Sequence, residues 1–285
     1  MAQPSGRGEG TPEADFFALG VTLVALLAGR HPLAGVDDDT VIARRLAVGS
    51  LEAIAGLCNA TLAMTELLAG LLTDVPKYRW TLERLQGWLA GRRGGPSFAE
   101  PRRRSHQPYE FLGTGYDHPR ALACAFGCHW DAAHRAVREG RLALWLDRSV
   151  NNTEMARSVV AVLDAAERGT GGCQPLSEDE LVGRICVILD PEGPVRYKSF
   201  AANLDGFGPA LAEAVTEGSD EAVQIAGQVI ASGLAARSIE ERPDGQTRLA
   251  TFHSSFIKLE AMLRDRGCGY GVERCLYELN PSLPC

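Results

Sequence analysis

Several groups of residues in this chain have types and spacings that could do chemistry. Cys124 and Cys128 stand one helical turn apart, followed by His129 and His134, and these are the donor types of a zinc site. Structural zinc sites usually draw two separated Cys-x-x-Cys knuckles from loops. Cys173, Cys186, Cys268 and Cys275 supply no such knuckle, so buried small apolar side chains are the preferred reading and no metal site is expected. His253-Ser254-Ser255 has the types of a hydrolase fragment but lacks a Gly-x-Ser-x-Gly elbow, and Ser254 is read as a helix cap. Gly6-Arg-Gly8-Glu-Gly10 and Gly267-Cys-Gly269-Tyr-Gly271 are glycine-rich. Neither has the Gly-x-Gly-x-x-Gly spacing of a phosphate-cradling loop. The five arginines of 91–108 could touch phosphates, but no aromatic ladder accompanies them and a solvated linker is the simpler reading. Asp190 and Asp205 lie in Pro- or Gly-containing turns and need no catalytic role.

Composition narrows the classes. Lys plus Arg is 29 and Asp plus Glu is 36, giving a formal net charge of −7, which disfavours a dedicated nucleic-acid binder. The longest apolar run, Phe16 to Ala28, is 13 residues, short of the roughly 20 of a spanning helix. MAQPSGRGEG has no basic region feeding an apolar one, so no signal peptide is expected and the expected location is cytoplasmic. Eight cysteines are scattered through the chain and read as mostly buried thiols.

The elements that must position these residues are helical. Pro12, Glu13 and Asp15 open a helix whose body, FFALGVTLVALLAG, is apolar on nearly every face and should be buried all round. Helices are expected over 40–48, over 61–73 with a stripe of Leu62, Leu67, Leu68, Leu71 and Leu72, and over 82–90 with Leu85, Trp88 and Leu89 facing the core. Residues 91–108, GRRGGPSFAEPRRRSHQP, lose periodicity and read as an Arg/Gly/Pro-rich linker. Further helices are expected over 119–139, 142–146, 153–168, 181–189, 204–215, 220–237 and 249–264, with Ser177 and Glu180 forming a capping box. Trp80, Trp88, Trp130 and Trp145 read as core. No strand alternation and no repeat of 30–45 residues stands out. The chain is close to all-α, with a block over 1–90, the linker over 91–108 and a helical C-terminal domain over 109–285.

Two stretches of the first block resemble one family. Asp15-Phe-Phe-Ala-Leu-Gly20, a long apolar helix and Gly29-Arg-His-Pro32-Leu33 resemble the start of helix F in eukaryotic-like protein kinases. Glu66-Leu-Leu-Ala-Gly-Leu-Leu72-Thr-Asp-Val-Pro76-Lys-Tyr-Arg79-Trp80-Thr81 is similar to the closing segment of the same family, although Val75 replaces the Asp before Pro. The resemblance implies a partial kinase C-lobe, from helix F to the final helix, in a bacterial Ser/Thr protein kinase-like protein. It implies that Asp15 anchors the catalytic loop by accepting its backbone amides, and that Arg79 braces the activation segment. A simple helix-capping role for Asp15 stands beside the first of these. The family arginine pairs with the Glu of an Ala-Pro-Glu motif roughly ten residues before the helix-F Asp; here Glu13 is too close and Glu9 a poor match.

The parts that transfer phosphate are not in the sequence. A kinase needs a Gly-rich loop, a strand Lys, a His-Arg-Asp loop with Asn and an Asp-Phe-Gly metal site, all N-terminal to helix F. Asp15-Phe-Phe17 lacks the Gly, and His134-Arg-Ala136 has Ala where the base belongs. The expectation is therefore a chain inactive by itself, with no catalytic residue and no cofactor of its own. Mg-ATP is implied only for the complete family domain, with the N-terminal kinase half or a protein partner as the missing component. The alternative is a noncatalytic helical interaction module or pseudokinase remnant.

Overall fold

In the computed structural model, the structure describes residues 2, 5–8, 10–56, 60–92, 104–168, 175–216, 219–242 and 247–264. Cys58, Cys173, Cys268, Cys275 and Cys285, most of the linker and the expected glycine-rich stretch at 267–271 lie outside them. The chain forms two compact units. One comprises residues 10–103; the other joins residues 1–9 to residues 104–285. The unit over 10–103 and the block expected over 1–90 differ at both ends, and residues 1–9 group with the C-terminal unit.

The unit over 10–103 holds α1 (Pro12–Ala28), α2 (Asp38–Val48), α3 (Leu62–Leu71) and α4 (Leu82–Leu89), with a wide π-type turn at Leu51–Ala55. Their starts follow local chemistry. Thr11, Asp37, Thr61 and Thr81 each accept a backbone N–H of the first turn through a side-chain oxygen. α1 stops at Gly29, which takes the left-handed conformation. Two small cores result. Val24, Ala53, Ile54, Ala55, Leu68 and Leu72 form one, and Leu67, Leu71 and Trp80 the other.

α1 is not buried all round. Only Gly20 and Val24 are buried, while Leu19, Leu26 and Leu27 are exposed. Leu62 and Leu89, expected on core faces, are exposed too, and Trp88 is only partly buried. The apolar residues are present; the material that would cover them is not supplied by the described residues.

The second unit contains β1 (Tyr109–Phe111), β2 (Thr114–Tyr116), α5 (Pro119–Cys128), α6 (Trp130–Arg138), α7 (Arg141–Arg148), α8 (Thr153–Arg168) and α9 (Glu178–Leu189). There follow β3 (Val195–Tyr197), β4 (Phe200–Ala202), α10 (Phe207–Thr216), α11 (Asp220–Ala231), α12 (Leu234–Glu240) and α13 (Thr247–Arg264). The described residues are mostly helical, in keeping with a chain close to all-α, and two small antiparallel hairpins accompany the helices. Their registers pair Tyr109 with Tyr116 and Val195 with Ala202. Each strand is three residues, too short to show alternation.

Two expected long helices are broken. His129, at φ −127 and ψ 60, separates α5 from α6, and Ser232-Gly233 separates α11 from α12. With these breaks the element order repeats: a hairpin, two helices, a left-handed glycine, a short helix and a long one. Gly140 at φ 71 precedes α7, and Gly233 at φ 67 precedes α12. The two hairpins begin at Tyr109 and Val195, a spacing far outside the 30–45 residues searched in the sequence.

α9 is the hub of this unit. Leu181, Val182, Ile185, Cys186, Val187, Ile188 and Leu189 are all buried, against α5, α6, α8, α12 and β3. The capping box at its start forms as expected: Glu180 N donates to Ser177 Oγ, and Ser177 N donates to the Glu180 carboxylate.

Candidate functional site

Asp15 and Arg79 are 64 positions apart, and folding brings their surroundings together. Arg79 follows the short turn Pro76–Tyr78 between α3 and α4. Its Nη1 donates to the Glu13 carbonyl at 2.6 Å, on the first turn of α1. Nε and Nη2 donate to the Thr73 carbonyl at 3.0 and 2.8 Å. The guanidinium lies over the Phe17 ring, 4.9 Å from its centroid, and Arg45 lies over the same ring at 4.8 Å.

Two like charges on one ring need compensation. Asp74 accepts from the Ser50 hydroxyl and backbone N–H, and Arg45 Nε donates to Ser50 Oγ at 2.8 Å. Burial holds the Arg79 pKa below its ordinary value, and Arg45 adds to this; Asp74 and Glu13 act against both. The arginine thus braces the end of α3 against the start of α1. Its partners there are the backbone carbonyls of Glu13 and Thr73.

Asp15 itself is exposed, one residue beyond the Pro-Glu-Ala opening of α1. Among the described residues its carboxylate accepts no hydrogen bond. The cap of α1 is Thr11, whose hydroxyl accepts from Ala14 N at 3.2 Å, so the simple capping role is taken by another residue. Leu19 and Leu26 continue the exposed face that Asp15 begins, at 38% and 73% exposure.

The other candidates scatter. Cys124 is buried and Cys128 exposed, so the pair is not jointly buried as expected. His134 turns to Asp179 instead. Among the described residues no three His, Cys, Asp or Glu side chains are grouped to hold a metal ion. Ser254 lies inside α13, not at its cap, and His253 contacts Glu240 at 3.2 Å. Trp80, Trp130 and Trp145 are buried as expected.

Two polar clusters had no signature in the sequence. Asp190, 4% exposed, pairs with Arg196 Nη2 at 2.8 Å and with Arg120 Nε at 2.8 Å, the latter without hydrogen-bond alignment. Its turn, DPEGP, reads as surface, but the partners come from α5 and β3. The second cluster ties three elements. Asp179 accepts from Trp130 Nε1 at 2.8 Å, contacts His134 Nε2 at 3.1 Å and pairs with Lys198 at 2.8 Å. Lys198 sits in the β3–β4 turn at φ 53. Burial, followed by the charges of Asp179 and Glu180, pushes the neighbouring Tyr197 hydroxyl up to about 12. Both clusters join elements within the C-terminal unit, and neither contains a nucleophile facing a base.

No helix of the described residues is long and apolar enough to cross a membrane. No protein-family model matches the chain, and no curated protein and no solved structure matches it.

Proposed function

We propose that this chain is the C-terminal portion of a bacterial Ser/Thr protein kinase-like signalling protein of the cytoplasm, with its catalytic elements outside these 285 residues. The observation that carries the reading is Arg79 seated on the first turn of α1 through the Glu13 carbonyl, two residues from Asp15. In this reading α1 stands for helix F and the stretch from Pro76 to Thr81 for the closing segment, and the contact ties the two. The exposed face of Asp15, Leu19 and Leu26 supports it further, as the place for the remainder of a lobe.

In the complete protein Asp15 accepts the backbone amides of the catalytic loop and orients it, and Arg79 keeps α1 in register beneath the activation segment. Mg-ATP supplies the transferred phosphoryl group in the family. The described residues of this chain do not fit it. Gly6 and Gly8 pack against Ala202 and Asp205, not around an open cradle, and among the described residues no acidic group is assembled for the metal. No step of the transfer is assigned to this chain.

Top-down mass spectrometry of the native protein from its source cells tests the reading. The expected product is longer at its N-terminus by roughly 150 residues or more, about one domain, and carries the strand Lys and the catalytic Asp. A native mass of 30.6 kDa, or an extension lacking those residues, would overturn it. The noncatalytic interaction module would then stand, and partner capture would be the next measurement.

A further inference from the structure

The two halves of the C-terminal unit share an element order but not a set of neighbours. In the second half, β3 and α12 lie against α9, the last helix of the first half. Arg196 Nη2 pairs with Asp190 at 2.8 Å, and Lys198 Nζ pairs with Asp179 at 2.8 Å. Leu234 packs so closely on Gly183 that a Cβ there would lie 2.6 Å from its Cδ1. The hairpin registers fix the counterparts in the first half. Leu112 at φ 50 stands where Lys198 stands at φ 53, and Glu110 stands where Arg196 does. Arg141 follows Gly140 as Leu234 follows Gly233. Glu110 is exposed, Leu112 is 59% exposed, and the Arg141 side chain is 62% exposed in a surface pair with Glu139, against 0% for Leu234. The face that α9 covers in the second half is therefore bare in the first.

A later stretch of the chain has the sequence pattern of α9. Val272-Glu-Arg274-Cys-Leu-Tyr-Glu-Leu279-Asn280-Pro281 repeats Val182-Gly-Arg184-Ile-Cys-Val-Ile-Leu189-Asp190-Pro191, with Val272, Cys275, Leu276 and Leu279 at helical spacing. These residues lie outside the described ones, and the match is one of sequence. It departs from α9 at the three places that meet the second half, and each departure answers one in the first half. Asn280 replaces Asp190 where Glu110 replaces Arg196, so an amide can donate to a carboxylate. Gly269 replaces Asp179 where Leu112 replaces Lys198, so an ion pair gives way to an apolar contact. Glu273 replaces Gly183 where Arg141 replaces Leu234, so a close apolar contact gives way to an ion pair.

We propose that this chain associates head to tail: the β1–β2 turn and the start of α7 in one copy receive the 269–280 stretch of a second copy, as β3 and α12 receive α9 within the chain. The occupant is a second copy because the complement of Glu110, Leu112 and Arg141 is written in this chain's own sequence, while in the single chain their face is bare. The contact is not self-complementary, so addition can continue beyond two copies. It does not depend on the kinase reading.

Sedimentation equilibrium of the full 285-residue chain, at concentrations up to millimolar, tests the contact. The mean mass should rise with concentration above 30.6 kDa. Leu112→Asp sets a carboxylate into the apolar contact, at an exposed turn position whose positive φ suits Asp. It should weaken association by about tenfold or more. Arg141→Glu and Glu273→Arg each bring like charges together and should weaken it by about tenfold. A chain carrying both changes restores the pair and should associate within about threefold of wild type. A mass of 30.6 kDa at every concentration would overturn the proposal, as would association indifferent to Leu112→Asp. A double variant as weak as either single one would overturn it as well.

Discussion

Asp190 carries more of the C-terminal unit than its place in a turn suggests. It is 4% exposed, and its carboxylate is the partner of a 7% exposed Arg196. Burial works against the arginine's charge, and Asp190, through charge and hydrogen bond, together with Cys186 and Cys124, outweighs it. Asp190→Ala strands that charge in the interior and should cost about 3–5 kcal/mol of stability, read from the urea midpoint. Replacing both partners with apolar residues should recover much of the loss. Asp179 makes the complementary prediction in pH. Burial raises its pKa, but Lys198, Trp130 and His134 outweigh burial, so the folded value lies below the ordinary 3.8. The unfolded chain therefore takes up this proton at higher pH than the folded one. The stabilisation is present above the ordinary value and is lost as pH falls through the folded one. Asp179→Asn should flatten the acid limb of thermal midpoint against pH; an unchanged limb would refute the assignment. Neither aspartate was legible beforehand, because their partners lie on other elements and no local spacing encodes them. What local sequence did carry is the proximity of the α1 start and Arg79 as a pairing to look for, through the apolar and Gly/Pro pattern around each.

At the level of elements, the repeated order of hairpin and helices turns on two glycines. A Cβ at Gly140 would meet open space, so any cost there is the backbone's alone. Gly140→Ala should destabilise by about 1–2 kcal/mol through its left-handed conformation, measured by chemical denaturation. A neutral substitution would show that the turn relaxes. Helix starts were readable from Thr61, Thr81 and Ser177, whose side chains cap the first turn. The breaks were not. Apolar positions run on in helical spacing through Phe126, Trp130 and Ala133, so periodicity alone carries a helix across His129. The hairpins were hidden for a different reason. Leu112 and Lys198 occupy positive-φ turn positions where Asn or Gly would have signalled a turn.

For the whole molecule, the contrast between the units matters most. Leu26, Leu62 and Leu89 are 73%, 89% and 70% exposed, all in the unit over 10–103. Hydropathy marked these residues as apolar but could not tell whether anything covers them. Leu26→Gln combined with Leu89→Gln should lower binding of a hydrophobic dye while shifting stability by no more than about 0.5 kcal/mol per site. A large loss of stability would mean that those faces are packed in solution. The grouping of residues 1–9 with the C-terminal unit adds a matter of timing. Arg7 is bound by Asn203, 196 positions later in the chain. At typical synthesis rates of 5–20 residues per second, the segment leaves the ribosome roughly 10–40 s before that partner exists. Every newly made copy therefore passes through an interval in which α1 is present and its leading segment is unclaimed. During that interval Ser5 and Arg7 are open to whatever else binds or cleaves an extended chain, and afterwards Asn203 holds the Arg7 carbonyl.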